Sequence, residues 1–240
     1  MHQTYSPKPL DPQRLAAVYA TRSTGDVGLK DYMQAHGVST WPVASWGLKE
    51  LTLLAFYFHP DLIVARAQAA AARTALEVAK SRPSWGIAPR VEHHSDRPPT
   101  DNTPWSLGFE LEIPVFGSSR RAVLVEREQI AVETAELEVG YTAWQLRARV
   151  RDALLGLYSA RRNLDLFEKE AQENEALLKL LQRRLQEGMA STGEVTTARL
   201  RATQARGEVE TQKLAAERSL GVLSGALGVP LEITRALVLS

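Results

Sequence analysis

The residues best suited to chemistry in this chain are Glu92, His93, His94 and Asp96, a run of imidazoles and carboxylates of the kind that holds a divalent metal. Their spacing speaks against it. Neighbouring histidines in an extended segment point to opposite sides, so a solvated loop end is the simpler reading and no metal or other cofactor is expected. Glu110 and Glu112 are a second candidate, since a two-residue step on a strand puts both carboxylates on one face. A general acid and base would also need a pocket and a third group to set their protonation, and nothing in the sequence supplies one. The arginines at 147, 149, 151, 161 and 162 form a basic run, but Glu168, Glu170, Glu173 and Glu175 follow on the same helical pattern. That alternation reads as the solvated exterior of a coiled coil rather than a nucleic-acid surface. No constellation for an enzyme remains.

Composition narrows the rest. The chain has 240 residues, 44% of them hydrophobic, a formal charge of +1 and no cysteine. Disulfides, thiolate metal sites and an N-terminal lipidated cysteine are thereby excluded, while neither nucleic acid nor an acidic partner is favoured by net charge. The first residues lack a basic flank followed by an apolar core; Leu15 to Ala20 is short and preceded by Pro7, Pro9 and Pro12. The expectation is that the chain as written has no secretory signal. No run approaches the roughly 18 apolar residues of a membrane-spanning helix, so any bilayer crossing must be by β-strand.

The elements that would position these groups are mostly helical. No proline occurs between Pro114 and Pro230. Within that span Leu146, Val150, Ala153, Leu157, Ala160, Leu164, Phe167, Ala171, Asn174, Leu178, Leu181 and Leu185 keep a four-three beat, the seam of a coiled coil. Upstream, Ala143, Val139, Val132, Val125 and Ala122 stay on the beat while Glu136 and Gln129 interrupt it. One helix is predicted over 119–187, about 100 Å long at 1.5 Å per residue. Gly188, Ser191, Thr192 and Gly193 mark a turn. A return helix over 193–227 carries the seam Val195, Ala198, Ala202, Ala205, Val209, Gln212, Ala216, Ser219 and Leu223 and ends before Gly228 and Pro230. Its small residues suit close packing in a helical wall. Helices over 46–82, with a fresh start at Pro60 and the beat Leu62, Ala65, Ala69, Ala72, Leu76 and Ala79, precede the long one.

Between them lies a predicted β-hairpin over 85–115. Trp105, Leu107, Phe109, Leu111, Ile113 and Val115 alternate with Ser106, Gly108, Glu110, Glu112 and Pro114, and Trp85 to Glu92 alternates less cleanly. Such a hairpin either covers a soluble core, leaving Glu110 and Glu112 in solvent, or contributes to a membrane barrel, where the same carboxylates face a wet lumen. The fold class is therefore mostly α, long antiparallel coiled-coil helices with one β-hairpin. Residues 1–45 are expected to be an extended arm with one short helix near Gly28 to Ala35, and 232–240 a short truncated tail.

This order of elements resembles one repeat of the TolC family of outer-membrane efflux proteins, half of an α-barrel and β-barrel protomer. The resemblance covers roughly Ser45 to Leu231. It rests on Trp46, Leu48, Leu51, Ala55, Pro60, Leu62 and Ala65 at the opening helices, on Trp105 to Phe116 at the second strand, on Arg184, Leu185, Gly188 and Ser191 at the turn, and on Leu220, Leu223, Leu227, Gly228 and Pro230 at the end. It implies a passive export conduit of a tripartite pump, located in the outer membrane with a periplasmic extension and performing no chemistry. It also implies a periplasmic adaptor docking on Arg184, Leu185, Gly188, Met189, Ala190 and Ser191, and an inner-membrane pump that supplies energy. The other partners implied are outer-membrane lipid and further copies of the chain. Family members carry two such repeats and assemble as trimers with twelve strands. One repeat per chain implies a half-length form, for which twelve strands would take six copies or a partner chain. The rival reading, a periplasmic helical-hairpin adaptor or other coiled-coil interaction protein, would flank its hairpin with small β-domains, and no matching β-half follows Gly228. The cargo, whether metal, drug or polypeptide, has no signature in these residues.

Overall fold

A computed structural model of the chain describes residues 11–81, 86–93, 105–112 and 118–239. Its elements run α1 (Pro12–Ala20), α2 (Val27–Ala35), α3 (Leu48–Phe58), α4 (Pro60–Lys80), β1 (Gly86–His93), β2 (Trp105–Glu112), α5 (Ser118–Gln186), α6 (Thr192–Leu227) and α7 (Leu231–Ala236). They form two units, one of Met1–Ile63 with Gly140–Ser240 and one of Val64–Val139. Trp85, His94, Asp96 and the expected strand residues Ile113 to Val115 lie outside the described residues.

In the first unit, the break between α3 and α4 follows from Pro60. The residue before a proline is pushed out of the α region, and His59 is extended at φ −72° and ψ 129°. Pro60 then opens α4, with Asp61 in its first turn. The core gathers Leu51, Leu54, Leu62, Leu146, Val150, Leu157, Leu223, Leu227 and Val229, each at most 2% exposed. Further along α5 and α6 it narrows to a seam in which Leu178 packs with Val195, Ala198 and Ala202, flanked by Leu181 and Leu185. An Arg206–Glu175 ion pair joins the two helices beside it. Asn174, the one polar seam residue of α5, turns its amide back to the Glu170 carbonyl at 2.9 Å.

The N-terminal segment differs from the expected extended arm. Asp11 caps α1 by accepting from Gln13 N–H at 3.0 Å, with Pro12 in the first turn, so two helices form where one was expected. Leu29 and Met33, one turn apart on α2, are fully buried. The Tyr19 hydroxyl donates to the Val229 carbonyl at 2.7 Å, and the Arg22 guanidinium donates to the Gly228 carbonyl while lying 5.0 Å from the Tyr19 ring centroid and 5.6 Å from that of Phe58. The tail also has structure. α7 buries Thr234, and Trp46 N–H donates to the Val238 carbonyl at 2.8 Å in a parallel bridge between Trp46 and Leu239.

In the second unit, α4 buries Ala65 and Ala69 and half-buries Ala72, Leu76 and Ala79, as the beat predicts. On α5 the half-buried positions are Arg121, Val125, Glu128, Val132, Ala135 and Val139. The seam thus passes through Glu128 and Ala135 instead of Gln129 and Glu136, so one of the two expected polar interruptions is replaced by an alanine while the other persists as Glu128. A helix of 3.6 residues per turn drifts about 20° per heptad against a 3.5 repeat, so its inward face slips to the neighbouring position. Glu136, freed from the seam, accepts from Arg73 Nε at 3.1 Å and Nη2 at 2.7 Å.

Candidate functional site

The described strands pair antiparallel from Gly86 opposite Glu112 to His93 opposite Trp105. Directly opposed side chains share a face. One face therefore carries Ile87, Pro89, Val91 and His93 against Leu111, Phe109, Leu107 and Trp105, and it is apolar except for His93. It covers no core: Phe109 is 84% exposed, Leu107 79% and the least exposed of its large apolar residues, Leu111, 55%. No described residue of this chain buries that face. The opposite face carries Ala88, Arg90 and Glu92 against Glu110, Gly108 and Ser106, with Arg90 Nε 2.6 Å from Glu92 Oε1. Glu110 is exposed there, and Glu112 is placed by its backbone pairing with Gly86. His93 stacks edge-on against Trp105, centroids 4.6 Å apart. Among the described residues no group of three His, Asp or Glu side chains comes together as a metal site, and no helix is long and apolar enough to cross a membrane.

The turn between α5 and α6 is built by backbone rules. Gly188 takes φ +73°, its N–H donates to the Leu185 carbonyl at 3.0 Å, and Met189 N–H donates to the Arg184 carbonyl at 2.7 Å. These are the two bonds of a Schellman cap, which favours glycine at its left-handed position. α6 opens two residues later with a capping box. Ser191 Oγ accepts from Glu194 N–H at 3.2 Å, and the Glu194 carboxylate accepts from Ser191 N–H at 2.7 Å. Those hydrogen bonds from Ser191, backbone first, hold the Glu194 carboxyl below its ordinary pKa. Of the expected tip residues, Leu185 and Ala190 are half-buried, whereas Arg184, Gly188, Met189 and Ser191 are exposed, Met189 at 67%. All six are brought together on one turn.

Of a second constellation in the first unit, the sequence signalled only the helix entry at Pro60 and Asp61. His59 is buried at the α3–α4 break, and its Nδ1 accepts from Asp61 N–H at 3.2 Å. Asp61 Oδ2 accepts from Arg149 Nη2 at 2.7 Å. That bond lowers the Asp61 pKa, and burial lowers that of His59. Gly228, at φ +69°, presses its backbone against the same joint, where an added Cβ would stand 3.0 Å from the His59 Cα. A cleft of about 420 Å³ also opens between Thr24, Trp41, Trp46 and the α7 residues Ile233 and Ala236. Pairs such as Arg22 and Gly228 are too far apart in sequence for periodicity to connect them.

Residues 55–229 match the family described as outer membrane efflux protein. No protein of curated function matches the chain. Among solved structures, the outer membrane protein VceC from Vibrio cholerae superposes with a TM-score of 0.66 at 18% identity, over 79% of this chain and 49% of its own. The CmeC outer membrane channel of Campylobacter jejuni gives 0.66 at 16% identity, over 80% and 43%. The open MtrE channel of Neisseria gonorrhoeae gives 0.61 at 17%, over 78% and 42%. The chain thus spans about half the length of these channels or less, and shares their fold over that half. Matching the family pattern from the α3 helix through the end of α6, with the fold to go with it, the chain belongs to the outer membrane efflux protein family.

Proposed function

We propose that this chain supplies one repeat of a passive export conduit, with β1 and β2 in the wall of an outer-membrane β-barrel and α5 and α6 in a periplasmic helical tunnel. The observation that carries this reading is the two-faced hairpin, whose apolar side is exposed along its whole described length while its other side is polar. Fully apolar side chains left in water cost about 1.5–3 kcal/mol each relative to burial. A bilayer removes that cost, and the alternation matches a barrel strand with lipid on one side and water on the other. Glu110 and Glu112 then belong to the lumen, where carboxylates keep the pore wet and favour cations. The strand edges are closed by another repeat, in the same chain or in a further copy.

The turn is the proposed docking tip for a periplasmic adaptor. Its two caps hold the backbone in one conformation, so Arg184, Leu185, Gly188, Met189, Ala190 and Ser191 form a preorganised contact with Met189 as an apolar knob. Export energy comes from an inner-membrane pump on the far side of the adaptor. The test is site-specific photo-cross-linking in intact cells. A photoreactive residue at Met189 captures an adaptor, and one at Phe109 labels lipid. If position 189 yields no protein adduct while position 109 yields soluble partners, the reading is wrong.

A further inference from the structure

The joint between α3 and α4 depends on a titratable cap. The first turn of a helix leaves backbone N–H groups without carbonyl partners, and the residue before the helix commonly accepts from one of them through Ser, Thr, Asp or Asn. At α4 that residue is His59, whose Nδ1 accepts from Asp61 N–H at 3.2 Å, while its carbonyl accepts from Ile63 N–H at 3.4 Å. An imidazole nitrogen that accepts carries no proton, so the bond exists only with the neutral ring. We propose that His59 is an acid-labile cap: neutral, it closes the first turn of α4, and protonation breaks that bond and loosens the joint on which α3, α4 and Gly228 meet.

The surroundings oppose the charged ring. His59 is 7% exposed, in a cleft of about 450 Å³ lined also by Arg149, Asp152 and Ser219. Facing it from α5 are Arg149 and Asp152, and from the link after α1 comes Arg22. Its own helix offers Asp61, with Oδ2 3.8 Å from Nδ1. α6 contributes only Ser219 and small apolar groups, and its end contributes the Gly228 backbone. Asp61, although engaged by Arg149 at 2.7 Å, favours an imidazolium more than either arginine opposes it, and only burial outweighs it. Arg22 and Arg149 repel one, and Gly228 packs its backbone against the His59 backbone at the joint. Burial, the largest effect, lowers the His59 pKa. The unfolded chain therefore binds the proton better than the folded chain does. Stability from this site is present above the ordinary histidine value of about 6.5 and falls as pH drops through the folded value.

This inference does not depend on the transport reading, and its test does not measure transport. The full chain in detergent micelles is titrated from pH 7.5 to 5.0 beside His59→Asn, which keeps a capping oxygen but has no proton to gain. The His59 ring resonances are expected to titrate below about 6.5. Exchange protection of the Asp61 amide, corrected for intrinsic rate, is expected to fall by up to about ten-fold per pH unit in the native chain as the ring charges, the limit for a single linked proton. In His59→Asn it stays flat. A ring that titrates at or above 6.5, or an asparagine variant with the same pH profile as the native chain, overturns the proposal. If His59→Asn does not fold, the native ring titration decides alone.

Discussion

Phe109 gives the sharpest test of the hairpin. It stands at the middle of β2 opposite Pro89, on the apolar face, and is 84% exposed. Phe109→Arg loses the apolar transfer of a phenyl ring, about 2 kcal/mol, and adds the cost of an arginine on a lipid face, about 2–4 kcal/mol at mid-depth. Together they amount to about 4–6 kcal/mol per hairpin. At 1.4 kcal/mol per decade this is a loss of about three to four orders of magnitude in membrane partition. Ala88→Arg is the control, because Ala88 lies on the other face opposite Glu110, where a cation meets water and a carboxylate and should cost less than about 1 kcal/mol. The assay is insertion into lipid vesicles from urea, read by flotation and by tryptophan emission. Phe109→Arg should stay in the aqueous fraction under conditions where the native chain and Ala88→Arg float. Equal flotation of the two variants would refute the assignment of faces and with it the barrel reading.

Other consequences can be checked together. Gly228→Ala combines a left-handed backbone with a Cβ 3.0 Å from the His59 Cα, and should destabilise the first unit by about 2–3 kcal/mol, seen as a lower urea midpoint. Leu178→Ala should cost about 2–5 kcal/mol at the seam and raise amide exchange between residues 178 and 202 more than around Leu51. Ser191→Ala removes the Glu194 cap and should cost about 0.5–2 kcal/mol, measured as faster exchange in the first turn of α6 with the core unchanged. Asp61 has a lowered pKa, chiefly from its hydrogen bond to Arg149. Its contribution is therefore complete above the ordinary aspartate range and lost as pH falls through the lower folded value. Both side chains are half-exposed, so Arg149→Gln should remove less than about 1 kcal/mol of that acid-range slope in melts at successive pH values.

The helices were legible because burial repeats with the helix turn. Leu146 to Leu185 on α5 and Val195 to Leu223 on α6 all face inward where the four-three beat puts them. The same rule, applied as a strict seven, put Gln129 and Glu136 on the beat, although a real helix turns slightly more slowly per residue and presents Glu128 and Ala135. Alternation also found the hairpin, yet it could not say which side of the apolar face held water, lipid or core. The exposures of Leu107 and Phe109 show that this chain itself does not cover that face. The joint at His59 stayed hidden because a histidine cap has no propensity signature, although Pro60 marked the helix start correctly. α1 was missed because residues 1–45 were read as an extended arm, while in the fold Pro12 is the first residue of a helix capped by Asp11.

The described sheet has two strands and therefore two open edges, one along β1 and one along β2. Unpaired backbone groups are not tolerated in hydrocarbon, so the hairpin cannot wait in the bilayer for its neighbours. If it enters lipid, entry and edge closure must be parts of one event. Where the closing strands come from other copies, insertion then acquires a reaction order: halving the chain concentration slows it by more than half, and excess of a chain with one blocked edge poisons the rest.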